Sequence, residues 1–390
     1  MKAALVWDPA FSKYKFRPDH PFNPKRLELT VSLMEAMGLI DPSEHRVVMP
    51  RQATDEELLR VHSPEFVSAV KAMSEPGARP LDKRWGLGTD DTPIFPGVHA
   101  AAATVVGGTI LASGMVMSGE VDRAFAIAGG LHHAHRERAS GFCVYSDLAA
   151  AIACIREEYD CRVLYIDQDA HHGDGVQAIF YDDPNVVTFS MHESGRYLFP
   201  GTGFTDELGV GEGYGYSLNV PVEPQTQDDS WLMIYRDLLT EVSEAFRPDV
   251  IILQAGCDAH VLDPLTHLRC TTRLYEEMTK VTGEIADRFC KGRLIATGGG
   301  GYAVWTVVPR AWSLVWAALT GQAADNEVPR SWIQQWQGES PCLLPERLRD
   351  PADAYPDVPR RAEIEAMNRR ALETLRRTAL PAMRGWSPGF

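Results

Sequence analysis

The sequence predicts an α/β protein on an open, mostly parallel sheet flanked by helices, with its active edge at the carboxyl ends of the strands. Short apolar runs alternate with helical patterns over about 320 residues, the order expected of successive β–α units. Four of those runs end in glycines, ionisable residues or both. Ligands of open α/β sheets bind beyond the carboxyl ends of the strands, so four segments nominate one edge. The chain has 390 residues, 45% hydrophobic and 23% charged. That is globular composition, long enough to bury a core without disulfides or a structural metal.

In chain order, Ala3–Trp7 reads as the first strand. Pro24–Met37 reads as a helix, opened by Pro24 and ended by Gly38. Thr54 and Glu57 form a capping box, and Ser63-Pro64 starts another helix. The uncharged stretch Ala100–Met117 is long enough to raise a transmembrane question. Its residues are mostly Ala, Gly, Ser and Thr, so it is read as a buried helix. Four strands follow, each with a chemical ending. Ala124–Ala128 runs into Gly-Gly-Leu-His132-His133, and Arg162–Ile166 into Asp167-Gln-Asp169-Ala-His171-His172-Gly-Asp174-Gly. Asp249–Leu253 runs into Gln-Ala-Gly-Cys257-Asp258, and Leu294–Thr297 into four glycines and Tyr302. The tail from Pro341 is Pro- and Arg-rich, with a surface helix expected near Arg360–Thr378.

Net charge is −15. That argues against a general nucleic-acid binder and against docking on anionic lipid. The seven cysteines are scattered, with no CxxC, as expected of free thiols in a reducing compartment. The first residues carry no signal-peptide pattern, so a cytoplasmic protein is expected.

Asp169 and His171 point to one side of an extended segment, and a carboxylate with an imidazole suits a borderline divalent metal such as zinc. Asp258 would add a third ligand and leave a position open for water. His132 and His133 follow a Gly-Gly turn that can aim both rings at one cavity, and Asp167 and Asp174 are free to orient them. Neither phosphate-loop pattern fits Gly298–Gly301, so Tyr302 is read as an oxyanion donor. No Gly-x-Ser-x-Gly elbow occurs, which disfavours a serine hydrolase. Cys257 sits among acids and is not read as a nucleophile. His172 is read as packed beside the site, and His20, His45, His62, His99, His135, His192, His260 and His267 as structural or exposed.

At these residues the chain resembles the zinc-dependent histone deacetylase family, most of all its bacterial acetoin-utilisation branch. The resemblance runs over residues 1–320 through HPFNPKR (20–26), GTDDTPIFPG (88–97), GGLHHA (129–134) and ASGFCVYSD (139–147). It continues through YIDQDAHHGDG (165–175), FPGTG (199–203), LQAGCDAHVLDPL (253–265) and GGGGY (298–302). Ser146, Gln168 and Leu131 depart from residues common in the family.

The resemblance implies a single arginase/deacetylase-like domain over 1–320 and a C-terminal extension over 321–390 packed on it. It implies Asp169, His171 and Asp258 as metal ligands, His132 and His133 with Asp167 and Asp174 as catalytic pairs, and Tyr302 as the group polarising an acetyl carbonyl. Gly141, Phe142, Phe199 and Leu265 match tunnel walls, Asp90 or Asp91 the rim acid, and Arg26 an arginine near an acetate exit. Two monovalent cation sites, for K+ or Na+, are implied. One uses Asp167, Asp169, His171, Ser190 and Met191; the other uses Phe180, Asp183, Val186 and Tyr216.

The expected activity is hydrolysis of Nε-acetyl-lysine by a metal-activated water, with Zn2+ or alternatively Fe2+, on a protein such as an acyl-CoA synthetase. Acetylpolyamines or other small acetylated amines are the alternative substrates. A binuclear arginase-like hydrolase lacks the DxHxD spacing, and an inactive acetyl-lysine binder would not need every catalytic group.

Overall fold

The computed structural model describes residues 1–79, 82–351, 353–356 and 358–385. Eight strands form one sheet: β1 (Ala3–Val6), β2 (His45–Val48), β3 (Arg123–Ala126), β4 (Val163–Asp167), β5 (Val186–Glu193), β6 (Ser217–Val222), β7 (Val250–Gln254) and β8 (Leu294–Thr297). Their spatial order is β2-β1-β3-β8-β7-β4-β5-β6, and every pairing is parallel. A parallel sheet is covered on both faces, which explains the unbroken apolar runs of the inner strands. β1, β3, β4, β7 and β8 are buried along their whole length.

The four strands with chemical endings are β3, β8, β7 and β4, four neighbours at the centre of the sheet. β8 is the last strand in the chain yet lies between β3 and β7, so it alone joins the β2-β1-β3 half to the β7-β4-β5-β6 half. The expected spans of β3, β4 and β7 are displaced by one or two residues at their ends, and β8 coincides with its expected span. Strands β2, β5 and β6 were not foreseen. β2 is short and mostly outward-facing, β5 buries Ser190, His192 and Glu193, and β6 carries Pro221. β5 and β6 do alternate, Phe189 and Met191 standing between polar residues and Leu218, Val220 and Val222 between Ser217, Asn219 and Pro221, but the buried polar positions and the proline mask them as strands.

Helices α1 (Lys25–Ala36), α2 (Asp55–Leu59), α3 (Pro64–Met73), α4 (Val98–Met117), α5 (Asp147–Tyr159) and α6 (Asp174–Ile179) occupy the first half of the chain. The second half adds α7 (Asp228–Phe246), α8 (Thr272–Phe289), α9 (Val308–Thr320), α10 (Arg330–Trp336), α11 (Arg361–Arg377) and α12 (Ala379–Met383). The capping box of α2 forms in both directions, Thr54 Oγ1 accepting from Glu57 N and a Glu57 carboxyl oxygen accepting from Thr54 N. Ser63 caps α3 by accepting from Phe66 N at 3.2 Å. Helix α4 is long and apolar enough to cross a membrane, but it lies buried against α3, α5, β1, β3 and β8.

Residues beyond 320 are bonded closely to the rest. Trp332 and Trp336 share an apolar cluster with Leu29, Leu33 and Leu314. Arg349 clasps Glu276 through two nitrogens, at 2.7 and 2.9 Å. Asp350 accepts from His260 Nε2 and Thr272 N at 2.9 Å, and from Arg310 Nη1 at 2.9 Å. Helix α11 packs on β6 and α7, and its buried Asn368 bonds Glu223 N, Thr226 and Ser230.

Candidate active site

The segment after β4 carries Asp169 and His171, and the segment after β7 carries Asp258. Their ligand atoms lie within 4.8 Å of one another, all buried. Asp169 Oδ2 accepts from Gln254 Nε2 and from Gly300 N, each at 2.7 Å. Asp258 Oδ1 accepts from Ala170 N at 2.8 Å. Those anchors turn Asp169 Oδ1 and Asp258 Oδ2 toward His171 Nδ1, at 3.1 and 2.9 Å. Two carboxylates this close in a buried place repel, which either a proton on one of them or a bound cation relieves. Burial and the Asp169 charge push Asp258 up to about 8. Both carboxylates raise His171 well above its ordinary value, against the pull of burial. Two oxygens and one imidazole nitrogen fit a borderline divalent ion with a coordination place to spare. The space exists because position 300 is glycine: a Cβ there would stand 2.2 Å from Asp258 Oδ2 and 2.7 Å from Asp169 Oδ2.

His132 and His133 follow β3, their rings 4.0 Å apart. His132 Nδ1 meets Asp167 Oδ2 at 2.7 Å, and His133 Nδ1 meets Asp174 Oδ1 at 2.7 Å. Each carboxylate thus holds Nδ1 and leaves Nε2 for chemistry. The two rings are shifted in opposite directions. Burial lowers His132, but Asp167 and Asp169 outweigh it and lift the ring to about 9. Burial and the neighbouring His132 lower His133 to about 4, against Asp174. The surroundings thus drive the two imidazoles in opposite directions, His132 toward holding a proton and His133 toward releasing one.

Tyr302 follows the glycines after β8. Its backbone N donates to Asp263 Oδ2 at 2.8 Å. Burial, then the charges of Asp258 and Asp169, push its hydroxyl well above the ordinary value, so it keeps its proton. Phe142 stands edge-on to the Tyr302 ring at 5.7 Å, and Phe199 edge-on to His133 at 5.0 Å. Phe199 is exposed, at the mouth. Phe142 holds a left-handed backbone, φ 68°, which costs a non-glycine residue of order 1–3 kcal/mol. Tyr14 pins it, donating its hydroxyl to Phe142 O at 2.8 Å while accepting from Val144 N.

The two rim candidates separate. Asp91 Oδ2 accepts from Gly141 N at 2.8 Å, on the wall. Asp90 is 95% exposed and pairs with Arg17. Leu265 N donates to Asp263 Oδ1 at 3.0 Å, which ties Leu265 to the loop of Tyr302. Arg26 is buried, donating from Nη1 to Gly301 O at 2.9 Å, between the Phe22 and Trp312 rings. Of the residues assigned to monovalent ions, Ser190 lies directly across from Asp167 in the β4–β5 register. Phe180, Asp183 and Val186 follow one another through backbone bonds, and Tyr216 O accepts from Thr188 N on the same strand as Val186.

Several neighbours of the site were not singled out from the sequence: Gln254 and Asp263, which anchor Asp169 and Tyr302, and Tyr165, whose hydroxyl donates to Asp167 Oδ2. All three sit inside the quoted motifs. Two histidines read as structural or exposed also belong here. His20 packs on Phe142 at 4.6 Å, and His135 bonds Asp174. His135 stands two residues after His133, and His20 opens the first quoted motif, but neither follows a strand directly, the signal that marked the other site residues.

Two carboxylates and an imidazole that could hold a metal, two histidine–carboxylate pairs and a buried phenol meet at the carboxyl edge of a parallel sheet, the set of groups a metal-dependent hydrolase uses. Residues 20–319 match the family described as histone deacetylase domain. The chain is 49% identical over 368 residues to acetoin utilization protein AcuC of Bacillus subtilis (strain 168), covering 94% of each chain. It is 42% identical over 372 residues to AcuC of Staphylococcus aureus (strain MSSA476), covering 95% of each. The crystal structure of an HDAC homolog from Aquifex aeolicus superposes with a TM-score of 0.84 at 31% identity, over 95% of this chain and 100% of that one. An HDAC homolog complexed with SAHA gives 0.83 at 31% identity, with the same coverage. The chain belongs to the histone deacetylase family, in its acetoin-utilisation branch, and the family's activity is deacetylation.

Proposed function

We propose that this protein hydrolyses Nε-acetyl-lysine on a protein substrate and releases acetate. The carrying observation is the convergence of the Asp169–His171–Asp258 cradle, both histidine–carboxylate pairs and Tyr302 on four adjacent strand ends. A divalent metal held by those three ligands, Zn2+ or Fe2+, would supply Lewis acidity at the acetyl carbonyl and lower the pKa of water. His133, neutral and with Nε2 free, takes the proton of the attacking water. The new oxygen–carbon bond makes a tetrahedral oxyanion, to which the Tyr302 hydroxyl donates. His132 supplies a positive charge beside it. His133 then returns the proton to the lysine nitrogen as the carbon–nitrogen bond breaks. Phe142 and Phe199 flank the lysine methylenes, Gly141 and Leu265 complete the wall, and Asp91 takes the rim role left open between it and Asp90. Arg26, buried behind the Tyr302 loop, marks the acetate exit.

We assign K+ or Na+ to the two oxygen-rich sites already named, and we place the protein in the cytoplasm with an acetylated metabolic enzyme, such as an acyl-CoA synthetase, as partner. We take 1–320 as the catalytic domain and 321–390 as its extension. The test is acetate release from an acetyl-lysine peptide and from an acetylpolyamine by metal-loaded protein. Peptide turnover blocked by a hydroxamate supports the reading. Turnover of the polyamine alone replaces the substrate, and silence on both with metal bound overturns the activity.

A further inference from the structure

Asp174 is gripped from two sides. His133 Nδ1 meets its Oδ1 at 2.7 Å, and His135 Nε2 meets its Oδ2 at 3.1 Å. Among the described residues no other side chain bonds this carboxylate. The other pair is built differently. Asp167 holds His132 while Oδ2 also accepts from the Tyr165 hydroxyl and Oδ1 accepts from Asp169 N at 3.1 Å. His135 therefore holds, on Asp174, the oxygen turned away from His133, the place that the Asp169 amide takes on Asp167.

The backbone that presents His135 is fixed. His135 N donates to Arg138 O at 2.8 Å, closing a tight turn. Ser146 N donates to His62 Nε2, which leaves the Nδ1 proton of His62 to donate to His135 O at 3.1 Å. The side chain of His135 is 34% exposed, against 6% for His133, so the ring stands at the outer end of the His133–Asp174–His135 row. Asp174 opens α6, where partial positive charge at the helix start favours a carboxylate.

We propose that His135 is a positioning residue: by holding Oδ2 of Asp174, it keeps Oδ1 on His133 Nδ1 and so keeps His133 in the tautomer and ring plane that leave Nε2 free. This rests on the reading of His133 as the base of deacetylation. Asp174 sits well below the usual carboxylate range although burial opposes this, because both imidazoles bond it.

The experiment compares metal-loaded wild type with His135→Phe, His135→Gln and His135→Asn on an acetyl-lysine peptide. A glutamine amide nitrogen reaches the place of Nε2, and that of asparagine stops short. Loss of one hydrogen bond predicts a kcat lowered about tenfold in His135→Phe and His135→Asn, with KM and metal content unchanged. His135→Gln should recover to within about threefold of wild type. A second readout needs no turnover: the low-field proton resonance of His133 Nδ1–H, identified by its loss in Asp174→Asn. It should persist in His135→Gln and shift or vanish in His135→Phe. An unchanged resonance and unchanged kcat in His135→Phe would overturn the role, as would equal losses in Phe and Gln variants. If wild type cleaves no acetylated substrate, the functional reading fails while the resonance still decides the role of His135.

Discussion

Tyr302 keeps its proton because burial and two nearby carboxylates make a phenolate costly. Removing one oxyanion donor typically lowers a rate by about a hundred- to a thousandfold. Tyr302→Phe should therefore fold and hold metal yet lose activity by about that factor, measured as acetate release beside metal analysis; near-wild-type turnover would remove the assigned role. Gly300 makes a different prediction. A methyl group there meets both ligand carboxylates inside van der Waals contact. Gly300→Ala should weaken metal binding by about ten- to a hundredfold, the range seen when ligand supports are lost, read by competition with a chromophoric chelator. Equal affinity would show that the carboxylates move aside at no cost. The ionisable residues of this site were legible because each follows an apolar run directly. Gln254 and Asp263 were not, since an amide or carboxylate that holds a ligand carries no spacing signature.

The loops that follow the central strands are anchored, and one anchor comes from the far end of the chain. Asp350 bonds His260, two residues beyond the ligand Asp258, as well as Arg310 and Thr272. Its side chain is 7% exposed. Burial alone would raise Asp350, but the His260 hydrogen bond and the Arg310 charge hold it well below the usual range. A depressed carboxylate stabilises the fold above its unfolded pKa of about 3.9, and that contribution is lost as pH falls below this value. Asp350→Asn should thus cost about 2–4 kcal/mol at neutral pH and flatten the acid limb of a Tm-against-pH curve. An unchanged Tm would mean that the extension contributes nothing here. The sequence reading found no chemistry in this tail, because an acid that serves a distant histidine looks like any surface acid. Strands β5 and β6 escaped for a related reason. Buried Ser190 and His192 satisfy each other at 2.8 Å, and Glu193 receives His267 at 2.7 Å, so polar residues fill positions where apolar ones would signal a strand. Pro221 is tolerated in β6 because that strand lies at the sheet edge.

Across the whole molecule, removing residues 321–390 would bare Leu29, Leu33 and Leu314, which Trp332 and Trp336 now cover. A chain cut at 320 should aggregate on expression or melt well below the full chain, measured by size-exclusion chromatography and thermal unfolding; a monodisperse, equally stable fragment would contradict this. The position of β8 has a consequence of another kind. His132 and His133 hang from the β2-β1-β3 half, Asp169, His171 and Asp258 hang from the β7-β4-β5-β6 half, and Tyr302 hangs from the strand that joins them. During synthesis each half can assemble from what has already left the ribosome, but the join waits for Leu294–Thr297. A chain released early therefore owns nearly every reactive group and none of the geometry. The two halves of the site share one geometry only once β8 is seated between β3 and β7.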